Sequence, residues 1–238
     1  MRAAAVPGNL VSSVVDLVDT GPVLLGAYTS AELTAVDAVV DFLEARPSDD
    51  VLAEAVRSLA ARELLVASDG DEQLQVRGDL GIAVAFQQRA RQVLDARVTG
   101  TGPGEPWRML MLPQPEPITL LIRIDALGVH DLGLFPADDA LDQLVDWLPR
   151  GDYEKGGDAA EVLAASSRSA LVTVTDYTSE GSAETAGESE DLVLARRGGD
   201  LYAFGRDEAD RAHLVPRRLE DNKVDETIKA MLAIGAGA

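Results

Sequence analysis

Apolar residues recur at helical spacing in the first third of the chain and alternate at strand spacing in most of the rest. The opening run Leu10–Val18 reads as a short helix capped by Asn9 or as a strand, because its valines favour extended backbone and its start offers a cap. Gly21-Pro22 ends it, and Val23–Tyr28 follows as a short extended segment. From Ser30 the spacing of Leu33, Val36, Val40 and Leu43 predicts a helix that Pro47 stops. Ser48-Asp49-Asp50 caps the next helix, whose stripe runs through Val51, Leu52, Ala55, Val56 and Leu59 to Leu65. Asp69-Gly70 marks a turn, Leu74–Arg77 a strand, and Leu80 to Arg97 a third helix.

Thr99–Pro106 (TGTGPGEP) is rich in Gly and Pro and has no apolar anchor, so it reads as a linker. After it the period shortens. Strands are predicted at Trp107–Leu112, Ile118–Ile124 and Val129–Phe135, then a helix with Leu141, Leu144, Val145 and Leu148 inward. A short helix at Asp158–Ser167 and a strand at Ala170–Thr175 follow. Leu192–Arg196 and Leu201–Phe204 read as a hairpin across Gly198-Gly199, with a further strand at Ala212–Val215 and a closing helix from Leu219 to Ile234. Ser179–Asp191 carries many acids and few apolar groups, which predicts a flexible acidic loop.

The expected class is therefore α+β. Residues 1–98 form a helical N-terminal region with short strands, 99–106 a linker, and 107–234 strand meanders that each end in Pro and a helix. The meander-helix order of 107–149 recurs in 169–234. That repetition suggests two similar antiparallel sheet-plus-helix units; a pseudo-two-fold and chance similarity account for it about equally.

Charge and composition narrow the function. The formal net charge is −20, which repels phosphate backbones and anionic lipid surfaces, so neither nucleic acid nor membrane is an expected partner. The chain has no cysteine, which removes thiolate metal sites, disulfides and Cys nucleophiles. Near the N-terminus only Arg2 is basic, and Asp16 and Asp19 interrupt the apolar run, unlike a signal peptide or membrane span; the cytoplasm is the expected location. Lysine is confined to Lys155, Lys223 and Lys229 against many arginines, a bias typical of high-GC bacterial genomes.

No catalytic constellation emerges. His130 and His213 each lie in a predicted strand without a nearby second ligand. The acid pairs Asp49-Asp50, Asp138-Asp139 and Glu220-Asp221 sit at helix starts, where the helix dipole favours them. Asp69–Glu72 lacks the spacing of a calcium loop. Ser166-Ser167 has no supporting base in sequence, and Gly78 and Gly81 do not form a phosphate cradle. No metal, no cofactor and no enzymatic activity are expected. Residues 30–78 follow the order helix, helix, strand of a winged helix. The would-be recognition helix, Asp50–Val66, carries Arg57 and Arg62 but also Glu54 and Glu63, a poor charge balance for reading DNA.

The phrases SLAARELL (Ser58–Leu65), DGDEQLQV, RQVLDARV (Arg91–Val98) and DDALDQLVDWLPRG (Asp138–Gly151), with Phe204-Gly205-Arg206 near the end, give an order of segments that resembles the EspG family of type VII (ESX) secretion-associated proteins of actinobacteria. The likeness is fuller over 50–151 than over 169–234. It implies a cytosolic chaperone that binds the helical tips of PE–PPE-type secretion substrates. It implies no particular binding residues. A winged-helix regulator or interaction domain is the alternative, and a homodimer is an open option.

Overall fold

The structure, a computed structural model, describes residues 8–36, 47–67, 74–180, 183–207 and 209–235. Val40 and Leu43 of the second predicted helix, and the Asp69–Glu72 turn, lie outside them. The class is α+β, as expected. The chain folds as two compact units that interleave in sequence: residues 1–90 with 114–136, and residues 91–113 with 137–238. The expected division at 99–106 is therefore corrected, because that segment connects two strands of one unit.

In the first unit, strands β1 (Val23–Thr29), β6 (Ile118–Ile124) and β7 (Val129–Pro136) form an antiparallel sheet in the order β1-β7-β6. The β6–β7 hairpin pairs the mostly apolar β6 with a β7 whose apolar part runs from Leu132 to Phe135, and Asp125 at its turn accepts from the backbone N–H groups of Leu127 and Val129. Around this sheet are α1 (Gly8–Val18), α2 (Ser30–Ala35), α3 (Asp49–Ala61) and α4 (Gly78–Arg89). A two-stranded hairpin, β2 (Leu65–Ala67) with β3 (Leu74–Val76), follows α3. The undecided run at Leu10–Val18 is helical: Val11, Val14 and Val18 recur on one buried face at helical spacing, which outweighs the valines' extended preference.

In the second unit the order is β5 (Arg108–Pro113), β4 (Gln92–Thr99), β9 (Arg168–Glu180), β10 (Ala183–Arg197), β11 (Asp200–Arg206) and β12 (Leu214–Pro216), each antiparallel to the next. A two-residue strand, β8 (Asp152–Tyr153), runs parallel to β11. Helix α6 (Ala159–Ala164) covers one face, where its Val162 meets Val193, Ala195 and Phe204. Strand alternation sends Val172, Val174, Leu192 and Leu194 to the opposite face. Helix α7 (Val224–Gly235) packs on β4 and β9 and against α5 (Ala137–Trp147).

The structure departs from further expectations. The predicted helix from Leu80 to Arg97 ends at Arg89, and Gln92–Thr99 is a strand between β5 and β9. Its burial alternates through Leu94, Ala96 and Val98, so the sheet's period of two prevails over helical spacing. The predicted acidic loop at 179–191 is largely strand: β9 runs through Glu180 and β10 begins at Ala183. Backbone pairing with β9, reinforced by arginines from the neighbouring strand region, holds a stretch too polar to order itself. The repeat expected over 107–149 does not form one unit, since β6 and β7 belong to the first and β5 and α5 to the second.

Thr99–Pro106 is tethered. Arg168 joins Glu105 at 2.8 Å and donates to the Trp147 carbonyl at 2.7 Å, while Trp147 Nε1 donates to the Pro106 carbonyl at 3.0 Å. Gly100 has φ +76°, and a Cβ there would lie 2.4 Å from the Ser167 carbonyl oxygen. Only glycine fits.

Candidate functional site

A groove of about 950 Å³ lies in the second unit. Its apolar part is Val174 on β9, Val215 and Pro216 on β12, and Met231 on α7. The charged part comes from β9, β10, β11 and the segment beyond. It holds five carboxylates (Asp176, Glu188, Glu190, Asp191, Asp207) and three arginines (Arg206, Arg211, Arg217).

The arginines are all engaged within the groove. Arg206 Nε meets the Asp191 carboxylate, and Arg217 joins Glu190 and donates to the Asp191 carbonyl at 3.0 Å. Arg211 Nη2 donates to the Ser189 carbonyl at 3.3 Å. Three guanidinium groups thus hold residues 189–191 of β10. Just before them the register between β9 and β10 slips, from Ala186 opposite Tyr177 to Ser189 opposite Thr175. Gly187 and Glu188 stand against Asp176 alone, which is a β-bulge.

The first unit holds a smaller cavity of about 400 Å³, lined by Val11, Ser12, Val15 and Asp16 of α1 with Arg89 and Glu116. Arg89 Nη2 meets Glu116 Oε1 at 2.7 Å. Arg89 Nη1 and Glu116 Oε2 are buried and have no hydrogen-bond partner among the described residues. Burial alone would raise the Glu116 carboxyl, but the hydrogen bond and charge of Arg89 outweigh it and hold it below the usual range.

The sequence candidates fall into structural places. His130 is buried, with Nδ1 3.0 Å from the Gly128 carbonyl; His213 is exposed beside Asp210 at 2.7 Å. Asp49-Asp50 and Asp138-Asp139 lie in the first turns of α3 and α5, and Glu220-Asp221 in a one-turn 3-10 helix. Ser166 Oγ donates to the Leu163 carbonyl at 2.9 Å and Ser167 Oγ to the Arg196 carbonyl at 3.4 Å. Among the described residues no group of three or more His, Asp or Glu could hold a metal ion.

Helices α2 and α3 and the β2–β3 hairpin follow the order of a winged helix. The two arginines of the would-be recognition helix each pair within the chain. Arg57 pairs with Glu54 at 2.8 Å, and Arg62 reaches Glu32 at 3.1 Å and covers the Tyr28 ring at 5.0 Å.

The groove residues span positions 174–231 and carry no local motif. The signal that could have located them was the conjunction of an acidic run, Glu188–Asp191, with Arg206, Arg211 and Arg217 shortly after it. A scan against protein-family models finds none that matches the chain, and a search of curated proteins finds no match either.

Proposed function

We propose that the chain is a non-enzymatic cytosolic binding protein of the type VII secretion kind, and that the groove of the second unit holds a helical segment of a secretion substrate. One observation supports this reading above the others. The groove sets an exposed apolar pair, Val215 and Pro216, over a floor of the buried Val174 and Met231, with a charged border in one concavity of about 950 Å³. Apolar contact bordered by polar groups is how protein surfaces bind one another. Strands and a helix of one sheet layer supply it, so the surface is pre-formed and binding need not order it. The resemblance of the sequence to the EspG family points to the same kind of partner.

No described helix is long and apolar enough to cross a membrane, which agrees with a partner met in solution. The test is co-expression with PE–PPE-type substrate pairs from an actinobacterial host, followed by size-exclusion chromatography with light scattering. A stoichiometric complex lost on Val215→Asp is the expected result. Failure of every pair to form a complex would sink the reading.

The winged-helix order of α2, α3 and the β2–β3 hairpin supports a second reading, an interaction or regulatory module. The in-chain pairing of Arg57 and Arg62 weighs against its nucleic-acid form. A gel shift with genomic fragments at low salt separates the two: retarded DNA with a steep salt dependence would favour the regulator.

A further inference from the structure

We infer that the groove selects a partner segment carrying basic side chains beside its apolar stripe, and that Glu188 is the carboxylate that receives them. The inference rests on the reading of the groove as the partner site and adds the chemistry of what enters it.

The argument is one of charge left over. Of the five groove carboxylates, Glu190 and Asp191 are met by Arg217 and Arg206. The other three have no cation partner among the described residues. Asp176 accepts from the amide of Gln92 at 2.8 Å. Asp207 accepts from the backbone of Ala209 at 2.7 Å and of Asp210 at 3.1 Å. Glu188 is exposed and makes no hydrogen bond or ion pair among the described residues. The third arginine, Arg211, is turned to a main-chain carbonyl and leaves these acids unbalanced.

The backbone places Glu188 there by construction. The bulge sets Gly187 and Glu188 opposite Asp176, and such bulges re-aim a side chain while bending the strand. A Cβ at Gly187 would lie 3.3 Å from the Asp176 carbonyl oxygen, tighter than ordinary packing. The arginine grip on residues 189–191 then fixes the strand next to the bulge. The groove therefore presents surplus negative charge next to the exposed Val215 and Pro216. Its complement is an amphipathic helix with Lys or Arg flanking an apolar stripe.

The test uses the full chain and three synthetic 18-residue helical peptides with the same Leu/Ala stripe and with Lys, Gln or Glu on the polar face. Binding is read by fluorescence anisotropy at low and moderate salt. One exposed charge pair is worth about two- to fivefold in affinity, so several lysines give the Lys peptide roughly a tenfold advantage that salt erodes. The whole acidic surface would also attract lysines, so Glu188→Lys is compared with Asp142→Lys, an equal charge change at an exposed position of α5. Circular dichroism confirms that each variant folds. The expected result is a loss of about tenfold for the Lys peptide with Glu188→Lys, less than twofold with Asp142→Lys, and no change for the Gln peptide. Equal losses from the two reversals, or a Glu peptide that binds as well as the Lys peptide, overturn the inference. If Val215→Asp still abolishes binding in that case, the groove stands as the site and only the charge preference fails. If none of the peptides binds, or binding ignores both Val215 and Glu188, the groove reading falls with it.

Discussion

Ser58 Oγ donates to Glu32 Oε1 at 2.8 Å, so a serine on α3 completes the shell of a buried carboxylate on α2, 26 residues earlier in the chain. Glu32 also closes a capping box with Thr29, whose backbone N–H reaches Oε2 at 2.9 Å, and it receives Arg62 at 3.1 Å. One side chain therefore ties the end of β1, the start of α2 and the end of α3. Burial by itself would raise its pKa. The hydrogen bonds from Thr29 and Ser58 and the charge of Arg62 outweigh burial and lower it from 4.5.

Glu32→Gln should destabilise the chain by about 2–3 kcal/mol near neutral pH, since it leaves Arg62 and a Thr29 donor facing an uncharged amide. The pH dependence has a definite sign. A carboxyl whose folded pKa lies below its unfolded value contributes fully above that unfolded value and loses the contribution as pH falls through the folded one. The gap between wild type and Glu32→Gln should hold from pH 7 down to about 4.5 and narrow below it. Urea melts at several pH values measure this; a gap that widens on acidification would contradict it.

A second prediction concerns Asp95, which receives two arginines of unequal burial. Arg108 binds both of its oxygens at 2.7 Å and is only 3% exposed, while Arg97 is 52% exposed. Asp95→Ala removes the carboxylate that holds the buried guanidinium at Nε and Nη2 and should cost about 3–5 kcal/mol. Arg97→Ala leaves the Arg108 pair intact and should cost under about 1 kcal/mol. Comparable denaturation midpoints for the two variants would show that burial does not decide the matter.

The connection between β4 and β5 gives a third. Gly100 and Gly104 share the left-handed backbone, with φ of +76° and +80°. A Cβ on Gly104 meets nothing within 4 Å, but on Gly100 it meets the Ser167 carbonyl oxygen at 2.4 Å. Gly104→Ala should cost only the backbone penalty, about 1–2 kcal/mol. Gly100→Ala should cost clearly more, because backbone must move. Thermal melts that fail to separate the two would return this segment to the status of a loose linker.

That segment also shows what the sequence could and could not say. Its Gly and Pro content announces a break in periodicity, which is real, but not where the chain goes next. The tether depends on Arg168 and Trp147, which are more than 40 positions away. Local pattern was enough where a short apolar run is buried on both faces, as in β6, or where a helix buries one stripe, as in α5. It failed at Gln92–Thr99, where Val93, Leu94 and Val98 fit a helix until the neighbours β5 and β9 impose a strand. It failed again at Glu188–Asp191, whose order comes from pairing with β9 and from Arg206 and Arg217. The groove was illegible for the same reason: its wall is acidic sequence that only partners distant in the chain make into structure.

The Arg89–Glu116 pair yields the last prediction. It lies beside the cavity under α1, about a quarter exposed on each side, with Arg89 also 5.5 Å from the Phe86 ring. One oxygen and one nitrogen of the pair are buried without a hydrogen-bond partner among the described residues. Such a pair gains little over an apolar replacement, because part of its desolvation is not returned. Breaking it from one side is a different case, since the remaining charge stays half-buried alone. Arg89→Met should therefore cost about 1–3 kcal/mol, and Glu116→Leu a similar amount. The double variant should recover most of the loss and could exceed wild type, giving a coupling energy opposite in sign to the single losses. A double-mutant cycle in urea measures it. Additive losses would mean that Arg89 and Glu116 stabilise the first unit independently, through their contacts with Phe86 and α1 rather than through each other.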